Sequence, residues 1–145
     1  MKQIDTGGLS FAELREGNKY YVDKTMLLAD ILGTNDRGVY LYTRPRRFGK
    51  STNLSMLDAF FNVDHKGNDW FKGLEISDHH EYDRYRNAFP VIRIDMGVCK
   101  KAPFEIFISM FRESILSAFN GHRYLLDTET LDSRTRNLFE SLNLR

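Results

Sequence analysis

The chain has 145 residues, 41% of them hydrophobic and 28% charged, with 11 Phe and 7 Tyr, enough for one domain with its own core or for part of a larger one. That aromatic content excludes disorder over most of the length. The net charge of +1 excludes a general polyanion binder, so any nucleic-acid role has to come from a local basic patch.

Taken in chain order, "FAELREGNKYYVDKT" opens with a short amphipathic turn and runs into Tyr20, Tyr21 and Val22, which favour extended backbone. Asp23 stands where an N-cap would, ahead of a helix with Met26, Leu27, Leu28 and Ile31 on its inner face and Gly33 as its closing C′ residue. "TNDRG" reads as a loop, and "VYLYT", Val39 to Thr43, as a short buried strand between turn signals. A helix follows from Ser51, with Leu54, Met56, Leu57, Phe60 and Phe61 at helical spacing. After the polar "NVDHKGND" comes a helical turn packed through Trp70, Phe71 and Leu74, then the polar "DHHEYDRYRNA".

"PVIRIDMG" is expected to be a second strand through Val91, Ile92 and Ile94. Pro103 then starts a long helix whose apolar face is Phe104, Phe107, Met110, Phe111, Ile115 and Phe119, closed by Gly121. A last helix is expected from about Asp127, using Leu131, Leu138, Phe139 and Leu142. Strands separated by helical crossovers imply parallel pairing, so the expected class is α/β. Two parallel strands cannot bury both of their faces, which reads as the N-terminal part of something larger. The expected divisions are an N-terminal segment 1–37, a strand–loop–helix unit 38–96 and a helical segment 97–145.

The chemistry concentrates in "TRPRRFGKST", Thr43 to Thr52. The phosphate-loop pattern G-x-x-x-x-G-K-[ST] is met at Gly49, Lys50 and Ser51, while its first glycine is replaced by Arg44. Such a loop works because backbone N–H groups converge on phosphate oxygens, a helix N-terminus faces the anion, a lysine reaches the outer phosphates and a hydroxyl ligates Mg²⁺. A G-K-[ST] tripeptide arises by chance in roughly one chain in fifteen of this length, so the flanking strand and helix carry the weight. Pro45 pushes residue 44 toward extended geometry, which a non-glycine residue accepts. Arg46 and Arg47 have two readings: guanidinium groups facing a phosphate, or solvated side chains paired with acids such as Asp23.

Together with this loop, "YYVDKTMLLADIL", "FKGLEIS" and "FPVIRIDM" resemble the AAA-ATPase-like family of bacterial and archaeal P-loop proteins, over most of residues 8 to 96. In that family arginine replaces the first glycine, so Arg44 is part of the resemblance. It implies an ATP-binding domain of the additional-strand P-loop class, often fused to a nuclease-like domain of the PD-(D/E)XK type. The nucleotide-binding positions carried over are Arg47, Phe48, Gly49, Lys50, Ser51 and Thr52, with Ser51 on Mg²⁺. Asp23 and Lys24 match the family pattern without an assigned mechanism. The family's hydrolysis strand, an apolar run ending in "DEYD", has no counterpart in residues 97–145, so little hydrolysis and no identifiable catalytic residue are expected. Asp95 would hold Mg²⁺ only if its strand lay beside the loop strand, and the resemblance places it on an earlier one.

The competing reading is a basic nucleic-acid-binding or regulatory module using Arg44, Arg46 and Arg47 with a vestigial nucleotide site; a non-functional remnant is a third. His79 and His80 lack a second ligand cluster at zinc-like spacing, and Cys99, beside Lys100 and Lys101, has no evident histidine partner. That single cysteine excludes an internal disulfide. No apolar run reaches the ~20 residues of a membrane span, and the N-terminus lacks a signal-peptide core. A cytoplasmic, membrane-free protein is expected.

Overall fold

A computed structural model of the chain describes residues 2–5, 7–33, 38–95, 97, 103–127 and 132–142. It divides into two compact units, Met1–Val91 and Ile92–Arg145. The helices are α1 (Phe11–Glu16), α2 (Met26–Leu32), α3 (Lys50–Phe61), α4 (Tyr82–Tyr85), α5 (Phe104–Asn120) and α6 (Ser133–Leu142), with 3-10 turns at Val63–His65, Glu75–Asp78 and Arg123–Asp127.

The first unit is built on α3. Met56, Ala59 and Phe60 point inward from it and meet Phe11, Leu28, Phe71, Leu74, Ile76 and Tyr82, all buried. Rings dominate this core: Phe60 meets Phe71 edge to face at 5.4 Å, and Phe11 lies 4.8 Å from Phe71, the offset arrangements that aromatic quadrupoles favour. α1 starts in a reciprocal capping box between Ser10 and Glu13, which satisfies two otherwise orphaned N–H groups. It is pinned at its other end by Arg15, whose guanidinium donates to the Trp70 and Lys72 carbonyls at 2.6 and 2.8 Å.

Asn87 closes the far end of α3. Its backbone is left-handed at φ 52°, and its buried amide donates to the carbonyls of Ala59, Phe60 and Asn62. These are the carbonyls that a helix end leaves without partners.

The expected α/β class is not what the chain adopts. Among the described residues there is no β-strand, and so no parallel sheet of a P-loop domain; one isolated parallel bridge joins Asn62 to Phe89. Val39 to Thr43 was expected to be buried, yet Val39 is fully exposed and Leu41 84% exposed. Ile92 and Ile94 are exposed as well. The β-forming tendency of such residues is realised only against a neighbouring strand and a covering layer, and the described residues supply neither.

Several boundaries also move. Thr25, not Asp23, is the N-cap of α2. Gly33 caps α2 and Gly121 caps α5 in right-handed geometry, so neither uses the left-handed freedom expected of a C′ glycine. The helix expected from Ser51 begins one residue earlier, at Lys50. In the second unit α5 forms as expected, but Phe104, expected in its apolar face, is 76% exposed. α6 begins at Ser133 rather than near Asp127 and leaves Leu138 exposed. Cys99, Lys100, Lys101 and Leu131 lie outside the described residues.

Candidate functional site

The loop leaves the extended segment at Thr43 and turns twice through positive φ, at Arg47 (66°) and Gly49 (76°). Gly49 is the N-cap of α3, and a Cβ there would stand 3.5 Å from the Lys24 ammonium. That distance is an ordinary contact, so the left-handed backbone is what explains glycine at this position. The first intrahelical bond runs from Asn53 N–H to the Gly49 carbonyl at 2.8 Å. The N–H groups of Gly49, Lys50, Ser51 and Thr52 therefore have no acceptor among the described residues. They stand at the positive end of a helix of 12 residues.

Lys50 folds back over the loop, its ammonium donating to the Arg44 carbonyl at 2.6 Å and the Pro45 carbonyl at 2.9 Å. Those two bonds close the turn through the Arg44 and Pro45 carbonyls, while the Arg44 guanidinium donates to the Thr43 carbonyl at 3.3 Å. The Ser51 hydroxyl has no partner among the described residues. Arg46 and Arg47 carry no ion pair there either, and Asp23 does not join them.

Two cavities flank the loop. The first, about 530 Å³, has Arg46, Arg47, Gly49, Lys50, Ser51 and Thr52 on one bank. Its other bank is Asp5, Gly7, Gly8, Leu14 and Tyr20. The second, about 470 Å³, takes Phe48 together with Lys24, Arg44, Tyr40, Tyr42 and Leu57. Lys50 borders both. Five of the six residues expected to bind nucleotide are thus gathered on one surface, and Phe48 is turned away from it.

Asp23 and Lys24 acquire a structural account. One Asp23 oxygen accepts from both the N–H and the hydroxyl of Thr25, at 2.9 and 2.6 Å, and the other accepts from Glu75 N–H at 2.8 Å. Thr25, wholly buried, takes the Ile76 N–H on its hydroxyl. This clasp ties the start of α2 to the turn at Glu75–Asp78. Burial alone would push the Asp23 carboxyl up, but the bonds from the Thr25 hydroxyl, Glu75 N–H and Thr25 N–H outweigh it and hold the group below its ordinary range. Between the clasped residues, Lys24 reaches toward the loop, its ammonium 3.5 Å from the Phe48 carbonyl. Tyr21 packs behind, its hydroxyl 3.2 Å from the Met56 sulfur, and burial raises that phenol to about 12.

The sequence did not point to Asp5, Gly7, Gly8 or Tyr20. A paired glycine is the one signal among them, and both adopt positive φ, 115° and 121°. Asp95 is exposed and takes the Gly97 N–H at 2.7 Å. Among the described residues no group of three His, Cys, Asp or Glu side chains is placed to hold a metal, so His79 and His80 form no such centre. No helix there is long and apolar enough to cross a membrane.

Comparison with known proteins gives three findings. The sequence model of the family described as "Predicted AAA-ATPase" matches residues 6–143. An uncharacterized protein in the vnfD 5′ region of Azotobacter chroococcum mcd 1 is 39% identical over 100 residues, which is 66% of this chain and 17% of that relative's length. No solved structure matches.

Proposed function

Because the chain belongs to the AAA-ATPase-like family, we propose that it binds Mg²⁺-ATP, with the triphosphate on the bank formed by Arg47 and Gly49 to Thr52. The observation that carries this reading is the set of four acceptor-free N–H groups at the start of α3, opening on a cavity together with a lysine and two unpaired arginines. Each group has a fitting task. The N–H groups and the helix dipole receive phosphate oxygens. Lys50 exchanges its two carbonyl partners for the outer phosphates, and Arg47 offers a second, bidentate cation. The free Ser51 hydroxyl, directly after Lys50, would serve Mg²⁺, whose remaining ligands would be phosphate oxygens and water. Phe48, on the other cavity and 57% exposed, is not part of this bank. None of the observations favours the nucleic-acid-binding alternative.

Titration of a fluorescent ATP analogue in the presence of Mg²⁺ tests the reading. Saturable binding that weakens at least roughly tenfold in Lys50→Ala is expected, in line with the loss of a charge-assisted contact. Absence of saturable binding by folded protein, or an affinity unchanged in Lys50→Ala, would sink it. In the whole protein, ATP turnover and a fused nuclease-like domain are proposals that follow from the family alone.

A further inference from the structure

The cavity beside the loop has two chemically different banks. Every cation of the lining lies on the loop side, while Asp5, Gly7, Gly8, Leu14 and Tyr20 bring no positive charge and one acidic side chain to the other. A ligand with one anionic end and one uncharged aromatic end therefore fits in a single orientation. The volume of about 530 Å³ is in the range of small-molecule sites, roughly 300–1,000 Å³, and exceeds what a phosphate chain alone would fill.

Tyr20 is the notable side chain on the bank without cations. It is 55% exposed and has no ring contact among the described residues. Its neighbour Tyr21 is used up in packing against Phe11 at 5.3 Å. The backbone under Tyr20 is nevertheless fixed. Its N–H donates to the Gln3 carbonyl at 2.8 Å, the Lys19 N–H donates to the Leu14 carbonyl at 2.9 Å, and the Lys19 ammonium reaches Gln3 Oε1 at 2.5 Å. Gly7 and Gly8 put no side chain in the way, and a Cβ on either would stand in open space.

The two banks are also held at a set separation. Phe11 N–H donates to the Ser55 hydroxyl at 2.8 Å, which ties α1 to the helix whose first turn carries the phosphate-binding groups.

We infer that Asp5, Gly7, Gly8, Leu14 and Tyr20 form the base wall of the nucleotide site, with a purine stacked on the Tyr20 ring while the phosphates rest on the loop. This rests on the nucleotide reading above and adds to it the part that distinguishes a nucleotide from a bare polyphosphate. An exposed, partnerless aromatic ring on an anchored backbone offers a stacking surface whose ordering cost is already largely met.

The test measures Mg²⁺-ATP and inorganic tripolyphosphate side by side, by calorimetry, on the wild-type chain and on Tyr20→Ala, Tyr20→Phe and Lys50→Ala. Tyr20→Ala should lower ATP affinity by roughly fivefold or more and leave tripolyphosphate affinity unchanged. Tyr20→Phe should keep ATP affinity, because the ring and not the hydroxyl is used. Lys50→Ala should weaken both ligands. If both bind and Tyr20→Ala leaves their ratio unchanged, the base wall is wrong and the phosphate site stands. If Tyr20→Ala weakens both equally while circular dichroism shows it folded, the residue supports the loop and the inference also falls. If neither ligand binds the wild-type chain, the nucleotide reading fails and takes this inference with it.

Discussion

The Ser55 hydroxyl accepts the N–H of Phe11, 44 residues earlier, at 2.8 Å and donates to the Thr52 carbonyl at the same distance. One buried side chain thereby joins the start of α1 to the first turn of α3. Ser55→Ala removes the acceptor and leaves a buried N–H with nothing to bond. A loss of about 1–3 kcal/mol is expected, read as a shift in the urea midpoint at unchanged slope. A midpoint within error of wild type would show that the Phe11 amide finds water instead.

Asp23 makes stability depend on acid. Its carboxyl is held below the ordinary value of 3.8, so its contribution is fully present above that value. It is lost as pH falls through the lower folded-state value, where the carboxylate must take up a proton. Asp23→Asn lacks this titration. At neutral pH the variant should be less stable by about 1–2 kcal/mol, since three bonds from the Thr25 and Glu75 groups lose their charged acceptor. The two proteins should converge toward pH 2, and parallel stability curves from pH 7 to 2 would contradict the clasp.

Tyr21 acts at the other end of the scale. Its folded-state value is raised from 10.0 to about 12, so its stabilisation is complete below pH 10 and drains away between 10 and 12, where the phenol ionises in the unfolded chain but not yet in the folded one. Wild-type protein should lose stability faster than Tyr21→Phe across that interval. An ultraviolet titration of the folded chain should show one tyrosine ionising after the others. Equal alkaline slopes for the two proteins would count against the burial of this hydroxyl.

Gly49 has no freedom to change. At φ 76° a side chain costs about 1–2 kcal/mol in backbone strain, while the space around the position would admit a methyl group. Gly49→Ala should therefore reduce both stability and, by reorienting the amides, ATP affinity, the latter by roughly tenfold. Wild-type affinity in a folded Gly49→Ala protein would show that the loop amides are not the ligand's contacts.

What the sequence disclosed was local chemistry. Gly49, Lys50 and Ser51 announce both the loop and the helix start, because a left-handed cap and an apolar repeat leave marks within a few residues. Val39 to Thr43 misled, since a strand is a property of two segments and one segment's composition does not supply the other. Asp23 was read as the cap of α2; its actual role reaches Glu75, 52 residues on, a distance at which spacing carries no information. The same holds for Tyr20 and the Gly7–Gly8 pair, which nothing in the chain's order connects to Lys50. Phe104 fits a helical repeat and still faces outward, because periodicity states which residues share a face and not whether anything covers it.

The loop also concentrates like charge. Arg44, Arg46, Arg47 and Lys50 place four cations within seven residues, and Lys24 leans in from α2's start. The acidic contacts among the described residues, Glu81 with Arg84 and His80 and Asp58 with His65, involve none of them. Added salt weakens repulsion as readily as attraction, so this region should tighten as ionic strength rises, against the trend of surfaces held by opposite charges. Multivalent anions should act at far lower concentration than chloride, which makes the choice of buffer a variable in any handling of the protein.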